Sequence, residues 1–380
     1  MERRIFDYWE QLPFGEYPVK YAYTTRPFTE EYIASLEYLS EIEKVGLSFI
    51  KKIGLRNEAY TIKETFRLFQ SFIRQGKKFY VAAETLDYHS SPLLYYYSFL
   101  NFAKAYLALQ NSASVKGKVF HGLKDKKDDN NNFDDQCCLV NNGIFKLLYK
   151  EITGDKITNN TSLNIKTLFG YIPDIYLEYQ KVGYGDRHFL PGKVMLCSEP
   201  MHGNSWPFLA ISKETFFNNY PDYFKPFLDY FQKTPLDEIS AFKVFNIAPS
   251  VYADFEFYQS KKKYDKIGNL RIYDKNKINN DLMKVLGKYS NQVSIKGGFD
   301  FHVFKPLKLN NRYFHFNDTL ACYVIMYYLG SLVRYKPYFL ESLLNSEHAW
   351  IIERFTKASS MLFLRDISKL ISGEIYIFYH

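Results

Sequence analysis

"SSPLLYYYSFLNFAKAYLAL", Ser90 to Leu109, decides how the rest of the chain is read. It has about the length that a bilayer-spanning helix needs, roughly twenty predominantly apolar residues. Its polar groups argue against that use. Tyr95, Tyr96, Tyr97 and Tyr106 carry hydroxyls, and a charge such as that of Lys104 near the middle would cost at least about 2.5 kcal/mol in lipid. Ser91 before Pro92 reads as an N-cap and a first helical position, because proline brings a fixed φ to a place where no N–H is needed. The stretch therefore predicts a helix over Pro92–Leu109, apolar on nearly all sides and buried in protein. Tyr97, Asn101, Lys104 and Ala108 share one stripe of it at helical spacing.

A second run of the same kind, "DTLACYVIMYYLGSLV" at Asp318–Val333, is capped by Asn317 or Asp318 and followed by Arg334 and Pro337. Neither helix can stand alone in water, so the two are expected to pack together in one helical domain. Between them, from about Gly192, the pattern turns to period two, as in Phe255/Phe257 and Phe299/Phe301. The expectation is an α+β fold, mainly α: a core of long apolar helices over residues 1–190, a β-rich insertion with short helices over 191–316, and helices returning to the core over 317–380. Towards the N-terminus, one helix interrupted at Gly46 is expected to stop at Gly54, and another to stop at Gly76, with Phe79–Leu86 as a short helix or link.

Hydrophobic residues make up 47% of the 380 and aromatic residues 19%, which excludes a wholly disordered chain and predicts a core rich in Phe and Tyr. The opening "MERRIFDYWEQLPF" lacks the pattern of a secretory signal, so a cytoplasmic location without membrane attachment is expected. Cys137, Cys138, Cys197 and Cys322 form no C-x-x-C pair and are expected as free thiols. The eight histidines are dispersed, so neither a metal nor a cofactor is predicted. The net charge of +8 is concentrated: Ser260–Lys296 carries ten basic residues against three acids. Lys261, Lys262, Lys263, Lys266 and Arg271 there, interleaved with tyrosines, would suit RNA or DNA, where cations meet phosphate and rings stack on bases. A solvated lysine face has the same composition.

The run "GKKFYVAAETLDYHSSPLLYYYSFLNFAKAYLAL", the "HGL" of His121–Leu123 and the later "YYLGSLVRYKP" of Tyr327–Pro337 together resemble the bacterial YaaC-like family over most of the chain. That resemblance implies architecture and a cytosolic place, and brings no reaction with it. "YYSFLNFAKAYL", Tyr96 to Leu107, is also similar to a helix of HEPN domains, many of which serve bacterial stress and phage defence. HEPN ribonucleases use an Arg followed by a His after four to six intervening residues, and no Arg–His pair here has that spacing.

Among the polar residues in or beside the family-like blocks, Asn101, Lys104, His121, Arg334 and Tyr335 are the candidates for a pocket. An arginine fork and a lysine point charge could hold a phosphate or nucleotide. They could equally be structural, with Arg334 at the carbonyl end of its helix and Lys104 neutralising Glu84. "GYGDRHFLPG" sets Asp186, Arg187 and His188 side by side, but adjacency in sequence does not orient a base. Ser198 and Ser205 lack a nucleophile elbow, and no phosphate-binding or dinucleotide motif is present. Two readings stand. One is a non-catalytic interaction or regulatory protein, with a protein partner or a second copy and a place in a stress or phage-defence pathway. The other is a HEPN-like nuclease or nucleotide-binding effector with an unconventional active site.

Overall fold

The helix expected from Pro92 starts one residue earlier, at Ser91, and runs to Gln110. The computed structural model describes residues 8–12, 14–54, 61–117, 119–126, 132–198, 204–213, 216–234, 254–265, 274–292, 301–309 and 312–379. In chain order the elements are β1 (Tyr8–Gln11), β2 (Val19–Tyr23), α1 (Phe28–Glu41), α2 (Glu43–Ile53), α3 (Ile62–Glu84), α4 (Ser91–Gln110), β3 (His121–Asp125), β4 (Cys137–Gly143), α5 (Ile144–Thr153), β5 (Ser162–Asn164), α6 (Ile165–Phe169) and α7 (Tyr176–Lys181). There follow β6 (Phe189–Ser198), β7 (Asn204–Ser212), α8 (Phe216–Asn219), α9 (Lys225–Tyr230), β8 (Phe231–Thr234), β9 (Phe255–Ser260), β10 (Tyr264–Asp265), α10 (Lys275–Leu286), β11 (Ser290–Gln292) and β12 (Phe301–Phe304). The chain closes with β13 (Leu307–Leu309), β14 (Arg312–Phe314), α11 (Asp318–Tyr335), α12 (Pro337–Leu344), α13 (Ala349–Ser372) and β15 (Ile375–Tyr379). The fold is α+β and mainly α. It divides into two compact units, Tyr17–Arg187 with Lys308–His380, and Met1–Glu16 with His188–Leu307.

In the helical unit, α3 begins with a reciprocal capping box. Thr61 Oγ1 accepts from the Glu64 N–H at 3.2 Å, and the Thr61 N–H donates to Glu64 Oε2 at 2.9 Å. The helix does not stop at Gly76. It passes through, because a side chain there would put its Cβ 2.8 Å from the Phe102 ring of α4, and glycine lets the two helices close. Gly46 likewise sits inside α2 under Phe66, and the break between α1 and α2 falls at Ile42. Both glycines serve contacts between helices, where the sequence pattern suggested terminators.

The helices α4 and α11 pack against each other at Gly330, whose added Cβ would meet Tyr96 Cβ at 3.2 Å and Leu93 Cα at 3.3 Å. Tyr96 makes edge contacts with Tyr323 and Tyr327, and Phe99 stacks on Phe363 of α13 at 4.1 Å. Burying one such ring stabilises by about 1.5–3 kcal/mol. These helices are buried yet studded with phenols, and among the described residues no helix is long and apolar enough to cross a membrane. Among the described residues, the small sheets β3-β4-β5, antiparallel, and β15-β2, parallel, lie in this unit, as does all of the β13-β14 pair but Leu307.

The other unit is built on an eight-stranded sheet whose main path runs β11-β12-β6-β7-β9-β8, with β1 added to β6 and β10 to β7. Its centre is the antiparallel β6–β7 pair. A core of Leu190, Val194, Leu209 and Ile211 from these strands packs with Phe217, Phe224 and Phe227, the last stacked on Phe217 at 4.5 Å. Phe299 of the expected strand alternation lies outside the described residues.

Candidate functional site

Two glycines aim His121. Gly122 has φ +89° and Gly143 φ +145°, both in the region that favours glycine. A Cβ on Gly122 would fall 2.8 Å from the Phe145 amide nitrogen, and one on Gly143 would fall 2.2 Å from the Phe120 carbonyl oxygen. Only bare backbone fits where β3 crosses the corner between β4 and α5. His121 is thereby laid beside Tyr327 of α11, with ring centroids 5.0 Å apart. Its Nδ1 accepts from the Leu123 N–H at 3.3 Å. Burial pushes the imidazole below its usual pKa, with Asp125 opposing and Arg334 assisting.

On α11, Tyr327, Ser331 and Arg334 form one stripe at helical spacing. Ser331 Oγ donates to Asp125 Oδ2 at the end of β3, and the second carboxylate oxygen is buried without a partner among the described residues. One turn on, Arg334 donates from a terminal guanidinium nitrogen to Tyr97 Oη at 3.1 Å and lies 5.0 Å over the Tyr335 ring. No described carboxylate forms an ion pair with Arg334. Tyr335 is 67% exposed and Tyr338 beyond it 85%. His89 of the α3–α4 turn approaches Glu341 of α12 at 3.2 Å and ties the neighbouring loop to the same end.

Of the five pocket candidates, the structure gathers His121, Arg334 and Tyr335. Asn101 is buried and donates its amide to the Tyr97 carbonyl oxygen at 2.7 Å, within its own helix. Lys104 lies elsewhere, its Nζ 5.7 Å from the Phe72 ring of α3, and burial lowers its pKa. It does not neutralise Glu84, whose charged and hydrogen-bonding neighbours are Glu30 and Tyr80. Sequence reasoning missed Asp125, Tyr327 and Ser331. The signal was present in part: Tyr327, Ser331 and Arg334 stand four and three residues apart, at helical spacing.

A second polar cluster was missed entirely. Asp366 of α13, 1% exposed, accepts from Thr319 Oγ1 at 2.7 Å, from Arg365 Nε at 3.0 Å and from Lys369 Nζ at 3.4 Å. Arg365 also reaches the wholly buried Asp318 at 3.4 Å. Burial opposes ionisation of Asp366, but Arg365 and Lys369 outweigh it and hold the carboxyl well below the usual range. Charges facing inward on a helix otherwise packed with apolar groups leave no periodic trace.

The remaining candidates are placed as follows. Arg187 lies over the Tyr176 ring at 5.2 Å. Ser198 and Ser205 bond each other at 2.6 Å across the paired strands β6 and β7. Cys138, Cys197 and Cys322 are buried free thiols whose pKa is pushed up by burial, which keeps them un-ionised. In the basic segment, Lys261 donates to the Leu228 carbonyl oxygen at 2.9 Å and Lys262 pairs with Asp281 at 2.5 Å. Lys263 is exposed, and Lys266 and Arg271 lie outside the described residues.

Compared with known proteins, the chain matches the family model for YaaC-like proteins over residues 40–371, well over half its length. It belongs to the YaaC-like family. The match takes in α3, α4, β3, α11 and nearly all of α13, and with them His121, Asp125, Ser331 and Arg334. It lends no support to the likeness with HEPN domains. No curated protein and no solved structure gives a significant match.

Proposed function

We propose that this YaaC-like chain acts by binding a partner protein, through the end of the helical unit where α4, α11, α12 and β3 meet. The observation that carries this is Arg334. Its guanidinium is exposed, oriented by Tyr97 and Tyr335, and bound to no carboxylate among the described residues. Arginine and tyrosine are the side chains that most often carry binding energy at protein interfaces, and a fork held in place loses less entropy on binding. A partner surface presenting a carboxylate beside apolar groups fits this arrangement.

The groups around Arg334 favour recognition over chemistry. Ser331 donates a hydrogen bond to the Asp125 carboxylate, and no described histidine is bonded to its hydroxyl. His121 uses Nδ1 on a backbone amide, while nucleophilic catalysis needs a base held against the nucleophile. Nucleic acid is the weaker alternative, since two of the three lysines at 261–263 are engaged within their own unit. The geometry offers no argument for a stress or phage-defence role. The test is turnover: purified chain incubated with nucleotides and RNA should leave both intact. Robust turnover lost in Arg334→Ala or His121→Ala would overturn the proposal.

A further inference from the structure

We propose that the cleft between α1, α2 and the β2–β15 pair is a binding site for a small organic ammonium with an apolar or aromatic body. The cleft has a volume of 580 Å³, within the usual range for small-molecule sites. Its acidic groups come from two elements. Glu31 from α1 and Glu374 from the turn before β15 line it, both half-buried. Each carboxylate is oriented by a hydroxyl on one oxygen: Thr24 Oγ1 donates to Glu31 Oε1 at 2.6 Å, and Tyr376 Oη to Glu374 Oε2 at 2.8 Å. Glu31 Oε2 has no partner among the described residues. Glu374 Oε1 has only Lys20, at 3.8 Å and 55% exposed, a loose ion pair that a ligand ammonium can displace.

The apolar walls are largely rings. Tyr376 and Phe378 stack along β15, planes 8° apart with centroids at 5.9 Å, and Tyr32 and Phe28 of α1 brace Phe378 from behind. Phe49 and Tyr38 add two more faces. Carboxylates set among aromatic faces recognise organic cations, through charge-assisted hydrogen bonds and attraction to the ring quadrupoles. Among the described residues, Lys52 is the one cation lining the cleft. It is exposed, in the last turn of α2, where it complements the helix dipole and can swing to solvent. Most of the lining lies outside residues 40–371, the part of the chain that the family model matches.

The experiment is calorimetric titration of the full chain with three probes of one shape: phenethylammonium, 2-phenylethanol and 3-phenylpropanoate. The ammonium should bind with Kd below about 1 mM and the other two at least about tenfold more weakly. Glu31→Gln and Glu374→Gln should each weaken ammonium binding about tenfold, and Tyr38→Ala, at a ring already 58% exposed, should weaken it without unfolding the chain. Lys52→Ala should bind at least as tightly as the wild type. Equal binding of the three probes, no heat from the ammonium at about 10 mM, or undiminished binding in folded Glu→Gln variants would overturn the assignment. The probe comparison needs only the wild type, so a variant that fails to fold leaves it decisive.

Discussion

Asp366 and Lys104 are both charged side chains in the helical unit, and their surroundings give them opposite effects. Asp366 is enclosed by Arg365, Lys369 and Thr319. Removing it takes a buried carboxylate partner from both Arg365, which keeps Asp318, and Lys369, so Asp366→Ala is expected to destabilise by about 3–5 kcal/mol. Lys104 is half-buried against a phenylalanine ring with no ion pair among the described residues, and its lowered pKa means that folding disfavours its charge. Lys104→Met keeps the packing and removes that penalty, so stability should rise by up to about 1 kcal/mol. Urea denaturation of the two variants checks both signs. A loss of stability in Lys104→Met would mean that the ammonium serves a purpose its contacts do not reveal.

At the scale of elements, the fold depends on places where backbones meet. Gly330→Ala would press a methyl group against Leu93 Cα and Pro92 O, both at 3.3 Å and both on the backbone of α4, which cannot rotate aside. A cost of about 1–3 kcal/mol is expected, read as a fall in melting temperature. The two buried helices were legible because each is a sustained apolar run; at the second, Asn317 does accept from the Leu320 N–H, whereas the cap expected at Ser91 falls at Ser90, which makes no side-chain capping bond. Gly46 and Gly76 were misread because a glycine admitting a neighbouring ring and a glycine ending a helix look alike in one sequence. His121 and Arg334 were legible from the family-like blocks. Asp125 and Ser331 were not, because their hydrogen bond joins residues 206 apart and nothing local announces the pairing. The Asp366 cluster was hidden for a related reason: a charge on a helix is read as solvated until its surroundings are known.

For the whole molecule, acid should act first through histidine. Burial lowers the pKa of His121, which faces Asp125 and Arg334, and of His348, which faces Glu347, Asp134 and Lys166. In the unfolded chain both rings take up protons as pH falls through about 6.5. The folded chain resists, so the unfolded state binds more protons and stability falls as pH drops below that value. Asp366 works in a lower window: its depressed pKa supplies stability above the ordinary carboxylate range that is lost only in stronger acid. Melting temperature against pH should therefore begin to decline below about pH 6.5, and the decline should flatten in His121→Gln with His348→Gln. An unchanged slope in that double variant would place the acid sensitivity elsewhere. Recognition through the Arg334 end is tested by quantitative capture from native cells with wild-type and Arg334→Ala chains of matched melting temperature. A partner protein recovered with the wild type should be lost, by about tenfold or more, from the variant. Equal recovery of every partner by both chains would contradict it.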